Sequence, residues 1–339
     1  MDSLFHCCNE ERFLGLPELN SLIEDNCTGI TIGGWSQWGY HSQSNGLFNN
    51  HDGNYNLHQQ WFYAEKLANG KNGFDWGFRA DVMYGVDAAD TQAFGNNPGR
   101  WDFQNGFDHG IYGWALPQLY AELAMGDWSV KIGHFYTLVG YEVVTAPDNF
   151  FYSHAYTMFN SEPFTHTGVL VTYDAGNDVT VYGGWTAGWD TGFDRFNNGS
   201  NFIGGVSTPV GDDATFTYIT TLGDFGARGS GYSHSLVLDM NVTENFNWVV
   251  QSDLVNTNGG GDHQYSLNQY FIYSISDCFG VGMRAEWWKN GGASQYEVTW
   301  GLNYRPYKNV VIRPEIRHDW NPANNNEFTT FGSDFIITF

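Results

Sequence analysis

Charge is scarce in this chain, and positive charge scarcer still. Only 15% of the 339 residues are charged, and 14 Lys and Arg stand against 37 Asp and Glu, a formal net charge of −23. A polyanion would be repelled, so nucleic-acid binding through phosphates is excluded. Cysteine is nearly absent. Cys7, Cys8, Cys27 and Cys278 are too few for a disulfide scaffold and lack metal-ligand spacing, so no metal or other cofactor is expected. Three of them flank the N-terminal segment, where a Cys7–Cys27 or Cys8–Cys27 bridge and free thiols both stay open. No run approaches the ~18 apolar residues of a membrane-spanning helix. The acidic start, Met1 to Arg12, has no apolar signal core, although a processed chain would read the same way.

The chain is rich in glycine, with 42 residues, and in aromatic rings, with 26 Phe, 20 Tyr and 14 Trp. That many rings exclude a solvated coil. Combined with abundant Asn, Ser, Thr and Gln, they suit strands and turns and do not suit a helical bundle.

Periodicity sets the fold class. In 74–87, Phe74, Trp76, Phe78, Ala80, Val82, Tyr84 and Val86 alternate with Asp75, Gly77, Arg79, Asp81, Met83, Gly85 and Asp87. One face is apolar with aromatic ends, and the other is charged. The same period of two returns at 179–190, 279–288 and 296–305. A soluble sandwich alternates too, but its aromatics need not gather at strand ends as a girdle at a lipid–water boundary requires.

Read this way, the chain holds sixteen candidate strands, near 29–40, 57–67, 74–86, 113–125, 128–136, 164–173, 178–190, 201–210, 214–223, 231–242, 246–255, 263–275, 279–288, 295–305, 310–319 and 328–339. The 57–67 strand has no clearly apolar face, and Pro209 and Pro314 fall inside strands, where each forgoes a ladder hydrogen bond. Short connections such as 126–127 and 174–177 alternate with longer ones at 41–56, 87–112, 137–163, 191–200, 224–230, 256–262, 289–294 and 320–327. The expectation is an all-β fold: a transmembrane antiparallel β-barrel of about 16 strands, with short periplasmic turns and long outer loops. Closure is required because backbone groups in a bilayer find partners only within the protein. Sixteen strands also enclose a water-filled lumen, where eight would be filled by side chains.

The chain ends Asp334-Phe335-Ile336-Ile337-Thr338-Phe339, with Phe335, Ile337 and Phe339 on one outward face. A last strand of this kind resembles the signal by which bacterial outer-membrane barrels are recognised for assembly. Further stretches carry a family resemblance. They are Leu116-Pro117-Gln118-Leu119-Tyr120-Ala121-Glu122, Val130-Lys131-Ile132-Gly133-His134-Phe135-Tyr136-Thr137-Leu138-Val139-Gly140-Tyr141-Glu142, Asn149-Phe150-Phe151-Tyr152-Ser153-His154-Ala155-Tyr156, Glu162-Pro163-Phe164-Thr165-His166-Thr167-Gly168-Val169 and Tyr84-Gly85-Val86-Asp87-Ala88. Together they resemble the OmpL-like β-barrel porin family, from about Gly29 to Phe339. The resemblance implies a bacterial outer-membrane barrel of porin type, and it supplies no defined substrate. Residues 1–28 lie outside it and read as a periplasmic lead segment bearing Phe13, Leu14, Leu16 and Leu22.

Loop 137–163 is too apolar for a solvated loop and must bury itself against something. The expectation is a loop folded into the lumen that constricts it and presents Glu142, Asp148 and Glu162. Packing at the outer rim or on a neighbouring subunit is the alternative. With apolar residues toward lipid, Arg79, Arg284, Arg305, Arg313 and Arg317 all face inward, because charge on the lipid face costs roughly 2–4 kcal/mol near the midplane. They form either a basic strip opposite an acidic loop, which would bear on ion selectivity, or a wall stiffened by pairing with Glu286, Glu297 and Glu315. No Ser or Cys has a suggestive His/Asp spacing, so an enzyme is not expected. The expected function is a channel passing small hydrophilic solutes and ions, weakly cation-preferring. The alternative is a structural or surface-array barrel with a blocked lumen. Expected partners are outer-membrane lipid, the barrel-assembly machinery and the solutes themselves. A homotrimer follows only by analogy with porins of this size.

Overall fold

Alternating side chains leave one stable solution for a sheet between lipid and water: apolar out, polar in, and no free edge. The computed structural model describes residues 29–194, 198–259 and 263–339, together with the backbone of Ile23–Asp25. The first strands are β1 (Ile30–His41), β2 (Tyr55–Lys66), β3 (Asp75–Gly85), the two-part β4 (Gly113–Ala115 and Leu119–Met125), β5 (Trp128–Tyr136) and β6 (Thr165–Gly176). Next come β7 (Val179–Thr186), β8 (Ser200–Pro209), β9 (Ala214–Asp224), β10 (Ser230–Thr243) and β11 (Phe246–Thr257). The last are β12 (His263–Ser276), β13 (Phe279–Asn290), β14 (Ala293–Tyr307), β15 (Val310–Asn321) and β16 (Asn326–Thr338). Each pairs antiparallel with its neighbours in sequence, and β16 pairs with β1, closing a barrel of sixteen strands. At the seam Gly34 and Phe339 exchange backbone hydrogen bonds of 2.8 and 2.9 Å. The short strand Ile23–Asp25 pairs with Ile30–Ile32. The rest of the proposed lead, and the choice between free thiols and a bridge of Cys27 with Cys7 or Cys8, lie outside the described residues. Cys278, in the turn after β12, is disulfide-bonded.

Local departures from regularity have chemical causes. In β2, Gln59 pairs with Gln37 but Leu57 pairs with Trp38, so His58 is an extra residue. This bulge reverses the alternation only between Leu57 and Gln59. Beyond it neither face of 57–67 reads as apolar, because Trp61 and Tyr63 turn inward while Gln60 and Lys66 share the outward face with Phe62. Pro117 separates the two parts of β4, and there the Asp81 amide donates to the Gln118 carbonyl. Register pairs between β14 and β15 lapse opposite Arg313 and Pro314, where the missing N–H leaves a gap. One expectation is corrected. The 289–294 connection is no longer loop but a two-residue turn, because Gly291 at φ 55° supplies the left-handed conformation that a tight hairpin needs.

Outward rings pair near both rims. Trp128–Tyr173 and Phe279–Tyr304 stand by the short turns, at centroid distances of 4.4 and 4.7 Å. Tyr84–Trp114 and Tyr296–Trp320 stand by the long loops, at 5.0 and 5.3 Å. The pleat makes a direct prediction for β6. Leu170 packs in the interior, so Val171 faces out and Thr172 faces the lumen. Val171→Arg is expected to cost about 2–4 kcal/mol of barrel stability, and Thr172→Arg less than about 1 kcal/mol. Urea titration of the refolded barrel in lipid measures both, and equal losses would invert the assigned face.

Candidate pore site

Alternation places Arg284 and Glu286 of β13, Glu297 of β14, and Arg313, Glu315, Arg317 and Asp319 of β15 on one interior wall. Against this wall lies loop 137–163, the connection from β5 to β6, with a 3₁₀ turn at Ala146–Asp148 and the short helix α1 at Tyr156–Ser161. The guanidinium groups donate to loop carbonyls. Arg284 reaches Ser153 O at 2.7 Å, Arg313 reaches Ala146 O and Asn149 O at 2.9 and 2.6 Å, and Arg317 reaches His154 O at 2.5 Å. The carboxylates accept from loop amides. Glu315 takes Tyr152 N and Ser153 N, both at 3.0 Å, and Glu286 takes Tyr156 N and Thr157 N at 2.6 and 2.7 Å. Alternating donors and acceptors two residues apart along a strand therefore match the alternating C=O and N–H of an adjoining main chain.

Side chains complete the attachment. Glu142 of the loop pairs with Arg284 at 2.6 Å and accepts from the Ala155 amide at 3.0 Å, with His154 Nδ1 at 3.2 Å. Burial pushes the Glu142 carboxyl up, but Arg284 and His154 outweigh it and hold it at about 2. Phe150 and Phe151 lie over glycines on the interior face: a Cβ at Gly282 would come within 2.5 Å of the Phe150 ring, and one at Gly301 within 3.0 Å of Phe151. Tyr152 stacks on His41 at 4.0 Å, and its hydroxyl meets His58 Nε2 at 2.6 Å, with Asp87 on the other ring nitrogen at 2.7 Å. The loop also touches the other walls. Leu138 and Val139 pack with Phe135, Leu170, Ile203 and Ile219, and Tyr141 packs on Tyr270. Val144 and Ala146 join Trp35, Trp61 and Met83.

The residues singled out in the sequence thus fall into two groups. Glu142, Glu162, Arg284, Arg313 and Arg317 are buried between loop and wall, none more than 7% exposed. Asp148 is exposed beside its own Thr145, and Arg79 is partly exposed, paired with Glu65 and Asp81 and stacked 3.9 Å from the Tyr63 ring. Arg305 is exposed near the short-turn rim, and no carboxylate pairs with it among the described residues. Of the partners weighed for the arginines, Glu297 does pair with Arg284, at 2.5 Å. Glu286 and Glu315 instead hold loop amides. His58, Tyr152 and the interior glycines carried no sequence signal of their roles.

The family described as "Putative beta-barrel porin-2, OmpL-like" matches residues 29–339. The chain belongs to that family. It is a bacterial outer-membrane barrel of porin type, and its family and fold are those of a channel rather than an enzyme. No curated protein matches the chain. Among solved structures, the porin's fold is similar to that of a mutant porin from Rh. blastica, with a TM-score of 0.61 at 13% identity, covering 91% of this chain and 100% of that one. It is also similar to the outer-membrane channel DcaP of Acinetobacter baumannii, with a TM-score of 0.61 at 9% identity, covering 94% of this chain and 99% of that one.

Proposed function

We propose that the porin passes small hydrophilic solutes and ions by passive diffusion, with loop 137–163 as its constriction and a weak preference for cations. The observation that supports this best is the set of interior charges left exposed or partly exposed on the short-turn side of the loop. Asp148, Glu65, Glu122 and Asp239 stand there against Arg79, Lys131 and Arg305. The excess of acids is small, so the preference is weak, and the net charge of −23 adds a negative potential at the mouths at low ionic strength. In this reading Asp148 acts on passing ions directly, whereas Glu142, Arg284, Arg313 and Arg317 hold the loop in place.

Zero-current potential across a KCl gradient tests the assignment. The parent porin should favour K⁺ over Cl⁻ by about two- to fivefold, more at low salt than at high. Asp148→Asn should bring the ratio close to about one, and Arg305→Gln should raise it. Anion preference in the parent would transfer control to Arg79, Lys131 and Arg305. A structural barrel with a blocked lumen is the second reading, and it is supported by the contacts that the loop makes with walls on several sides. Absence of conductance under every condition would favour it. For assembly, we propose that Phe335, Ile337 and Phe339 form the terminal signal read by the barrel-assembly machinery. Association as a homotrimer, with lipid on the remaining outer face, completes the proposal.

A further inference from the structure

We propose that loop 137–163 is a proton-locked gate: Glu162, with Asp253 of β11 and Glu286 of β13, holds the loop in the lumen while protons are bound, and releases it when they leave. This inference rests on the channel reading above. The geometry behind it is an imbalance. Arg284, Arg313 and Arg317, the guanidinium groups on the wall beneath the loop, are paired with Glu142, Glu297, Asp334 and Asp319, and Arg228 from the 224–230 connection donates to the Asn160 carbonyl at 2.7 Å. Glu162, Asp253 and Glu286 are each no more than 4% exposed and have no ion-pair partner among the described residues. Glu162 and Asp253 share one donor, the Gln251 amide nitrogen, which stands 2.6 Å from an oxygen of each. The Ser235 and Ser266 hydroxyls, both neutral, are the other polar groups beside Asp253. Glu286 has the Tyr156 and Thr157 amides and the Thr157 hydroxyl.

The ionisable groups acting most strongly on Glu162 are Asp253 and Glu286 from the wall and Glu142 from its own loop, all of them acids, whereas Glu286 faces Glu297 together with Arg284 and Arg317. Burial, reinforced by Asp253, holds the Glu162 carboxyl well above the ordinary range. A buried carboxylate without a counterion is costly, and water admitted by loop displacement relieves that cost. The closed arrangement therefore binds protons that the open one does not. Closure is favoured at low pH and lost as pH rises through the closed-state value. Each proton released contributes up to about tenfold in the open-to-closed ratio per pH unit.

Planar-bilayer conductance of the full porin, recorded from about pH 5.5 to about pH 9.5, tests the lock. The expected result is low conductance at the acid end and a rise of about tenfold or more at the alkaline end. Glu162→Gln keeps the cluster neutral at that position and should flatten the rise, with heat-modifiable migration confirming a folded barrel. A companion variant replaces 141–160 by a Gly/Ser linker and should conduct equally at both ends. If the shortened barrel conducts but the parent's conductance does not change with pH, the lock is overturned and the channel reading survives. If the shortened, folded barrel conducts nothing at any pH, the channel reading itself fails.

Discussion

Replacing Arg284 with Met is expected to free loop 137–163 while leaving the barrel closed. The guanidinium is fully buried and makes ion pairs with Glu142 and Glu297 together with a bond to the Ser153 carbonyl. Removing the arginine takes the principal counterion from two buried carboxylates, leaving Glu142 with His154 and Glu297 with Arg317 at 4.0 Å, and such a loss typically costs about 3–5 kcal/mol. The backbone ladder that closes the sheet does not depend on it, so the loss falls on the loop. Protease cleavage within 137–163 should accelerate by more than about a hundredfold, and single-channel conductance should rise. Adding Glu142→Gln should recover part of the loss, since it removes one stranded charge. Unchanged cleavage and conductance in the single variant would show that the loop is held by other contacts.

Deleting Phe339 is expected to abolish most folded porin in the outer membrane. Phe339 makes both backbone hydrogen bonds with Gly34 at the seam, and its ring packs 5.6 Å from Phe62 on the outer face. An open seam exposes strand edges to hydrocarbon, where each unsatisfied group costs several kcal/mol. Synthesis should be unaffected, and the heat-modifiable band should fall by about tenfold or more. Phe339→Tyr restores a ring and should recover the band. Wild-type levels of folded barrel after the deletion would refute any role of this residue in closure or assembly.

The two substitutions separate what the sequence makes legible from what it does not. Strand alternation is a side-chain pattern, so the sixteen strands and their faces can be read directly, and 57–67 is obscure because Trp61 and Tyr63 sit on its inward face and Gln60 and Lys66 on its outward one. The inward arginines are legible for the same reason. Their use is not, because Arg313 and Arg317 meet loop carbonyls and Glu286 and Glu315 meet loop amides. Peptide groups are the same at every position, so no residue type records the contact. The interior glycines are visible as letters, but only the fold brings Phe150 over Gly282 and Phe151 over Gly301.

That grip on peptide groups has a consequence for how such pores diversify. A wall that recognises main chain places few demands on the letters of the segment it carries. Exposed positions such as Val143 and Asp148 are therefore open to exchange without loss of the loop's path. One frame can accept many linings, and a designer who wants a different filter can rewrite the loop's free side chains and leave the Arg–Glu wall untouched.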